Sequence, residues 1–290
     1  MSPSRRIVCV CSAGCVLVWL AGCQNFSDPP VTFVSGLRVL GIKAEPPQIA
    51  PGASTTVAAL AVDTDGGTPA ASWSQCLLPP LPGATVNPSC VDGSAATDLQ
   101  PIGDGLTIPF VMPQVMAASL GAPDATGGVY LPLVAAVDAS PQAASPQAAS
   151  PQALMAVYRL RLADAAPANA NPTIADVFSV DASGAMSALD ASAPTPVPSG
   201  GSLTLTVAFA PGSAQPYIAA DGSMTTETLT TSWFCTAGDL SVEKTSATQP
   251  QTVLSLDQNL PAAGAQIDLY AVARDERGGT DFAHRTLLLQ

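Results

Sequence analysis

Leu203-Thr204-Leu205-Thr206-Val207-Ala208-Phe209 decides the fold class. Leu203, Leu205, Val207 and Phe209 fall on one side of an extended chain and the threonines and alanine on the other, the period of a half-buried strand and not of a helix. Similar short runs lie on either side of it. Downstream are Thr228 to Cys235, Thr252 to Leu256, Gln266 to Arg274 and Phe282 to Leu289; upstream are Leu37 to Ile42, Thr55 to Val62, Ala71 to Leu78, Leu106 to Val111, Val129 to Val137, Leu154 to Leu162 and Thr173 to Val180. In the run 154–162, Tyr158, Leu160 and Leu162 share one face and Arg159 and Arg161 the other. Composition agrees: 28 prolines and 23 glycines interrupt the alanine-rich stretches, and only 11% of residues are charged, so long solvated helices have little to build on. The chain reads as all-β.

The two halves echo one another. Glu45-Pro46-Pro47 through Val62, followed by Trp73-Ser74-Gln75-Cys76, parallels Pro194 through Phe209, followed by Trp233-Phe234-Cys235. Each half then closes with two strands and a polar connection. In the second half the connection is Asp275-Glu276-Arg277-Gly278-Gly279-Thr280-Asp281; in the first it is Ser140-Pro141-Gln142-Ala143-Ala144, repeated through Ser150 and followed by Pro151-Gln152-Ala153. Proline at every fifth position blocks both helix and central strand, so 140–153 is expected to be an expanded hairpin tip and not a domain boundary. Roughly 125 residues and six to eight short strands per half fit two tandem immunoglobulin-like β-sandwiches, at 37–165 and 172–290, with Pro167 to Pro172 as junction, Pro194 to Gly201 as a turn-rich connector, and Trp73 and Trp233 as core anchors.

The N-terminus is of another kind. Arg5 and Arg6 precede a mostly apolar run from Ile7 to Leu20, too short to span about 30 Å of hydrocarbon comfortably but suited to a signal peptide. It ends in Leu20-Ala21-Gly22-Cys23, which resembles the lipobox of bacterial lipoproteins. That resemblance implies cleavage after Gly22 and lipidation of Cys23 on its sulfur and new amino group, with more than one acyl chain for stable anchoring. Residues 1–22 are then a signal peptide and 23–36 a tether. By the sorting rule of that lipoprotein class, the resemblance also implies outer-membrane placement, since Gln24 and not aspartate follows Cys23, with the face left open.

Removing residues 1–22 leaves 268 residues and takes the formal charge from −12 to −14, since Arg5 and Arg6 go with them. Such a surface repels nucleic acid and anionic headgroups, so nucleic acid is not an expected partner; a membrane, reached through the lipid, and an envelope or surface protein are. Cys9, Cys11 and Cys15 also leave. Cys76 and Cys90 enclose a proline-rich loop, and an exported, oxidising setting favours their disulfide; Cys235 is then odd, buried and inert or bridged elsewhere.

Chemistry-bearing clusters are sparse. His284 is the single histidine and no Gly-x-Ser-x-Gly elbow accompanies it, so no catalytic residues are assigned. Zinc ligands, P-loop and dinucleotide fingerprints are missing, and no cofactor is expected. Asp63 and Asp65 in one loop, and Asp275, Glu276 and Asp281 across another, are weak calcium candidates without the spacing of a calcium loop; aspartate and glycine are also ordinary turn formers. The segment Val272 to Thr280, together with Arg38 to Pro51, resembles tandem Ig-like or PKD-like bacterial surface lipoproteins, most of all those of myxobacterial type. The resemblance implies a non-enzymatic envelope scaffold or protein-interaction module and no catalytic residues. The alternatives are an outward-facing adhesion or ligand-binding module and, less favoured, an envelope hydrolase.

Overall fold

The computed structural model describes residues 31–290 except 82–85, 93, 95, 114–119, 121–123, 125–127, 141–152, 164–167, 220 and 258–259. The expected signal peptide (1–22), Cys23 and the proline-glutamine-alanine repeat therefore lie outside the described residues, which contain no helix long and apolar enough to cross a membrane.

Strands alternate with turns throughout. The first half contains β1 (Leu37–Glu45), β2 (Gln48–Ile49), β3 (Ser54–Asp63), β4 (Thr68–Cys76), β5 (Leu99–Asp104), β6 (Thr107–Val111), β7 (Val129–Ser140) and β8 (Leu154–Leu162). They form one sheet of order β1-β3-β6 and a second of order β2-β8-β7-β4-β5, in which β2 runs parallel to β8. Pro46 and Pro47 end β1 and the chain resumes as β2 in the opposite sheet. Between the sheets lies one core, with Ile42, Val57 and Ile108 from the first and Trp73, Leu133 and Leu160 from the second.

The second half repeats the plan with β9 (Ile174–Val180), β10 (Met186–Ala188), β11 (Thr195–Val197), β12 (Ser202–Phe209), β13 (Pro216–Ile218), β14 (Met224–Thr226), β15 (Thr230–Cys235), β16 (Asp239–Leu240), β17 (Lys244–Ser246), β18 (Gln251–Ser255), β19 (Gln266–Arg274) and β20 (Thr280–Leu289). The sheets are β10-β9-β12-β18-β16 and β11-β20-β19-β15-β17, β11 is parallel to β20, and β13 and β14 form a separate hairpin. In both halves one sheet joins the first, second and fifth main strands and the other the third, sixth and seventh. That is the immunoglobulin-like order. The fold is thus all-β, with two tandem immunoglobulin-like sandwiches. The Pro194–Gly201 connector is more than a turn, because β11 lies within it.

Trp73 and Trp233 stand at equivalent places, each on the third main strand and each fully buried. The Trp73 indole N–H donates to the Gly105 carbonyl at 2.8 Å and that of Trp233 to the Thr245 hydroxyl at 2.9 Å, so neither polar edge is stranded in the core. Cys76 and Cys90 form the disulfide, with Cα atoms 6.0 Å apart. It ties the end of β4 to the short 3-10 turn Pro88–Cys90 under Val134, not sheet to sheet. Cys235 is a buried free thiol whose sulfhydryl contacts the Gly238 carbonyl; burial pushes it up to about 12.

The expected tether of 23–36 needs correction at its far end. The Val34 N–H donates to the Cys235 carbonyl at 2.8 Å and the Cys235 N–H to the Thr32 carbonyl at 2.9 Å, so this stretch lies alongside the end of β15. Thr32 and Val34 are buried.

Candidate functional site: the junction and its open seam

The sandwiches share a small core of their own. A register shift in β1 between Val39 and Gly41 makes Leu40 an extra residue, and such a bulge re-aims a side chain. Before it Leu37 and Val39 face the first core, after it Ile42 and Ala44 do, and Leu40 turns outward. There it meets Val34, Tyr270 and Val272, with Leu60, Val62, Phe234 and Phe282 around them. The outer face of the β1-β3 sheet thereby packs against the outer face of β15-β19-β20. Gly41 sits at this close approach: a Cβ there would stand 3.0 Å from a Val272 methyl, which would have to give by a few tenths of an ångström.

Polar groups frame this core. Lys43 pairs with Asp281 at 2.9 Å, and the other Asp281 oxygen accepts the Ile174 N–H at 2.8 Å. Asn171 donates to the Ala44 carbonyl and to Glu45, and its own oxygen accepts the Thr280 N–H. The Tyr158 hydroxyl donates to the Gly278 carbonyl at 3.1 Å; burial is the main cause of its raised pKa. Asn169 is buried and donates to Asp275, while its own side-chain oxygen has no hydrogen-bond partner among the described residues.

Beside the junction an open seam follows β1 and β8. One part, of about 540 Å³, is lined by Val39 to Ile42, Tyr130, Ala156 to Arg159 and the β19–β20 turn; a further part, of about 310 Å³, lies against Leu37, Arg38, Val39, Leu154, Met155 and Ala156. The walls are strand edges. β1 ends its sheet, and β2 covers only Arg161 and Leu162 of β8, leaving 154–160 without a strand partner on that side among the described residues. Arg159 lies over the Tyr130 ring at 4.1 Å, and Arg274 donates to the Leu40 carbonyl and the Ser232 hydroxyl. Burial lowers the Arg274 pKa.

The calcium candidates have other work. Asp63 accepts the N–H groups of Asp65 and Gly67, and Asp275 accepts those of Arg277 and Gly279. In each turn a Cβ on the second glycine, Gly67 or Gly279, would press into the aspartate carboxylate. The two turns are one device, an aspartate folding the chain over its own carboxylate. Glu276 accepts from the Tyr217 hydroxyl and Asp281 is taken by Lys43, so Asp275, Glu276 and Asp281 do not converge. No group of three or more acidic, Cys or His residues is placed to hold a metal among the described residues.

His284 does have an acidic neighbour. Its Nε2 is 2.8 Å from Asp268 and its ring stacks on Tyr270, centroids 4.7 Å apart. The hydrogen bond from His284 holds the Asp268 carboxyl below its usual range. The one side-chain hydrogen-bond partner of the imidazole among the described residues is Asp268.

The residues that build the junction escaped the sequence reading, though a signal was present. Leu269 to Ala273 is a continuous apolar run, buried at every position, and a strand of that kind is covered on both faces.

No family model matches the chain, and no curated protein matches it. Among solved structures it is similar to the three N-terminal domains of the highly immunogenic outer capsid protein (Hoc) of bacteriophage RB49, at 11% identity, covering 88% of this chain and 70% of that one, with a TM-score of 0.23. The immunoglobulin-like assignment rests on the strand order of each sandwich.

Proposed function

We propose that this chain is a non-enzymatic, lipid-anchored protein of the cell envelope that acts as a scaffold or protein-interaction module. The observation that carries the reading is the junction: two sandwiches buried face to face and pinned by Lys43–Asp281, Asn171 and Tyr158. A joint of that kind holds a double domain at a fixed angle and presents its remaining edges as one surface. Strand edges are the usual docking element of such modules.

The leader and Leu20-Ala21-Gly22-Cys23 supply the anchor in this proposal, and Gln24 favours the outer membrane. Two experiments test it. Acyl labelling and membrane fractionation of the native chain and of Cys23→Ser should show label and membrane association lost together; a Cys23→Ser protein that remains fully membrane-bound refutes the anchor. Affinity capture from membranes should return a stable envelope complex; strong glycan or host-surface binding without one would point to adhesion instead.

A further inference from the structure

We propose that the seam between β1 and β8 binds an extended acidic peptide segment of a partner protein, whose backbone adds to the open edge of β8 and whose carboxylates meet Arg38, Arg159 and Arg274. The proposal rests on the interaction-module reading and names the surface and the chemistry of the partner.

Charge economy carries it. Eight Lys and Arg residues lie in 31–290, against many more carboxylates. Lys43, Arg161, Arg277 and Arg285 each hold a carboxylate within 4.0 Å. Arg38, Arg159, Arg274 and Lys244 hold none among the described residues, and three of those four line this one seam. In so acidic a chain a guanidinium without a carboxylate is the exception, and here the exceptions cluster. Arg38 is held by the Phe33 carbonyl and lies over Phe234, Arg159 rests on Tyr130, and Arg274 is held by two neutral oxygens. All three are oriented by neutral partners that leave the charge unanswered, the state in which a planar guanidinium best receives a carboxylate.

Strand geometry supplies the rest. The 154–160 edge of β8 presents backbone donors and acceptors without a strand partner, a template for another extended chain. The exposed Leu154 and Met155 at one end offer apolar contact, so the segment that fits alternates acidic with apolar side chains. Two acids border the seam at its other end. Asp275 is folded onto the Arg277 and Gly279 amides, and Glu276 is held by Tyr217, so neither occupies the arginines.

The test uses the full chain and a fluorescein-labelled peptide of about ten residues alternating glutamate with valine, long enough to follow β8 at ~3.3 Å per residue. Anisotropy should show saturable binding that weakens as salt rises, and the peptide with lysine for glutamate should not bind. Arg159→Glu, at an exposed position over the Tyr130 ring, should weaken binding by about tenfold or more. Two peptides N-methylated at alternate residues separate the backbone mode: one register should lose binding and the other keep it. Absence of binding, equal affinity for Arg159→Glu, or equal binding of both methylated registers overturns the proposal. Capturing partners in parallel with native and Arg159→Glu chains separates the two readings. A complex recovered equally by both leaves the module standing and removes the seam.

Discussion

Replacing Leu40 by alanine asks whether the two sandwiches unfold as one body. Leu40 is 4% exposed, and its neighbours Tyr270 and Val272 belong to the other sandwich. The substitution removes roughly three methylene equivalents, or about 2.4 kcal/mol of transfer free energy at ~0.8 kcal/mol each. A partly unrelaxed cavity raises the loss to about 2.5–4 kcal/mol. Val272→Ala, at a fully buried position, should cost about 2 kcal/mol by the same reasoning. Because both deletions open the same space, the second should cost less once the first is made, with a coupling of about 0.5–1.5 kcal/mol. Leu131→Ala, in the first core, shares no cluster with Val272 and should add to it independently. Urea unfolding followed by tryptophan emission reads this directly. Of the three tryptophans Trp19 lies in the proposed leader, so a chain starting at residue 23 reports from Trp73 and Trp233, one in each sandwich. Additivity of Leu40→Ala and Val272→Ala within about 0.3 kcal/mol would refute a shared junction core.

The remaining expectations are more local. Reducing the Cys76–Cys90 bridge, which spans 14 residues, should lower stability by roughly 3 kcal/mol, read as a shift in urea midpoint. In the folded chain Cys235 should resist iodoacetamide, because burial keeps the thiol protonated, and it should react at once after unfolding; labelling of the native protein contradicts its buried position. Arg277 donates to Glu227 at 2.6 Å with the carboxylate fully covered. Removing one partner of such a pair, as in Arg277→Met, should cost about 3–5 kcal/mol, whereas a joint replacement by apolar residues should recover much of that; equal losses in thermal melts of the single and joint variants would argue against a buried ion pair.

Much of this fold was legible because its main strands obey period 2. Leu203 to Phe209 reads as a strand and is one, and the echo of Pro46 to Val62 in Pro194 to Phe209 marks the same pair of elements, β2-β3 and β11-β12. The strands that flank 141–152, β7 and β8, pair antiparallel from Val137 and Leu154 onward. What escaped was β5, whose Pro101 and Gly103 break any strand period, the two- and three-residue strands, too short for a period, and the junction. The bulge at Leu40 changes the phase of β1 in mid-strand, so that no single alternation describes it. Phe234, Tyr270 and Val272 face away from their own core, where a sequence read one sandwich at a time expects solvent. The seam depends on which arginines find carboxylates in space, and spacing along the chain does not encode that.

Part of the acidity of the chain has a structural account. Asp63, Asp92, Asp181, Asp190, Asp221 and Asp275 each accept the backbone N–H two residues on, and Asp63, Asp181 and Asp275 also the one four residues on. A protein of many short strands needs many tight turns, and ionised aspartate closes them well. With lysine almost missing, these six of the chain's 22 acidic residues add to its net negative charge through turn chemistry. Asp181 shows how this is tested. Its carboxyl lies below the usual value near 3.8, chiefly through its hydrogen bond with the Ser183 side chain. A pKa depressed in the folded state contributes order above the unfolded value, and that order is lost as pH falls through the folded one. Exchange protection of the Ser183 and Ala185 amides should therefore be full at neutral pH and decline only below pH of about 3.8. In Asp181→Ala it should be weak throughout. Protection unchanged by Asp181→Ala would mean that the strands β9 and β10 hold the turn and the carboxylate is incidental.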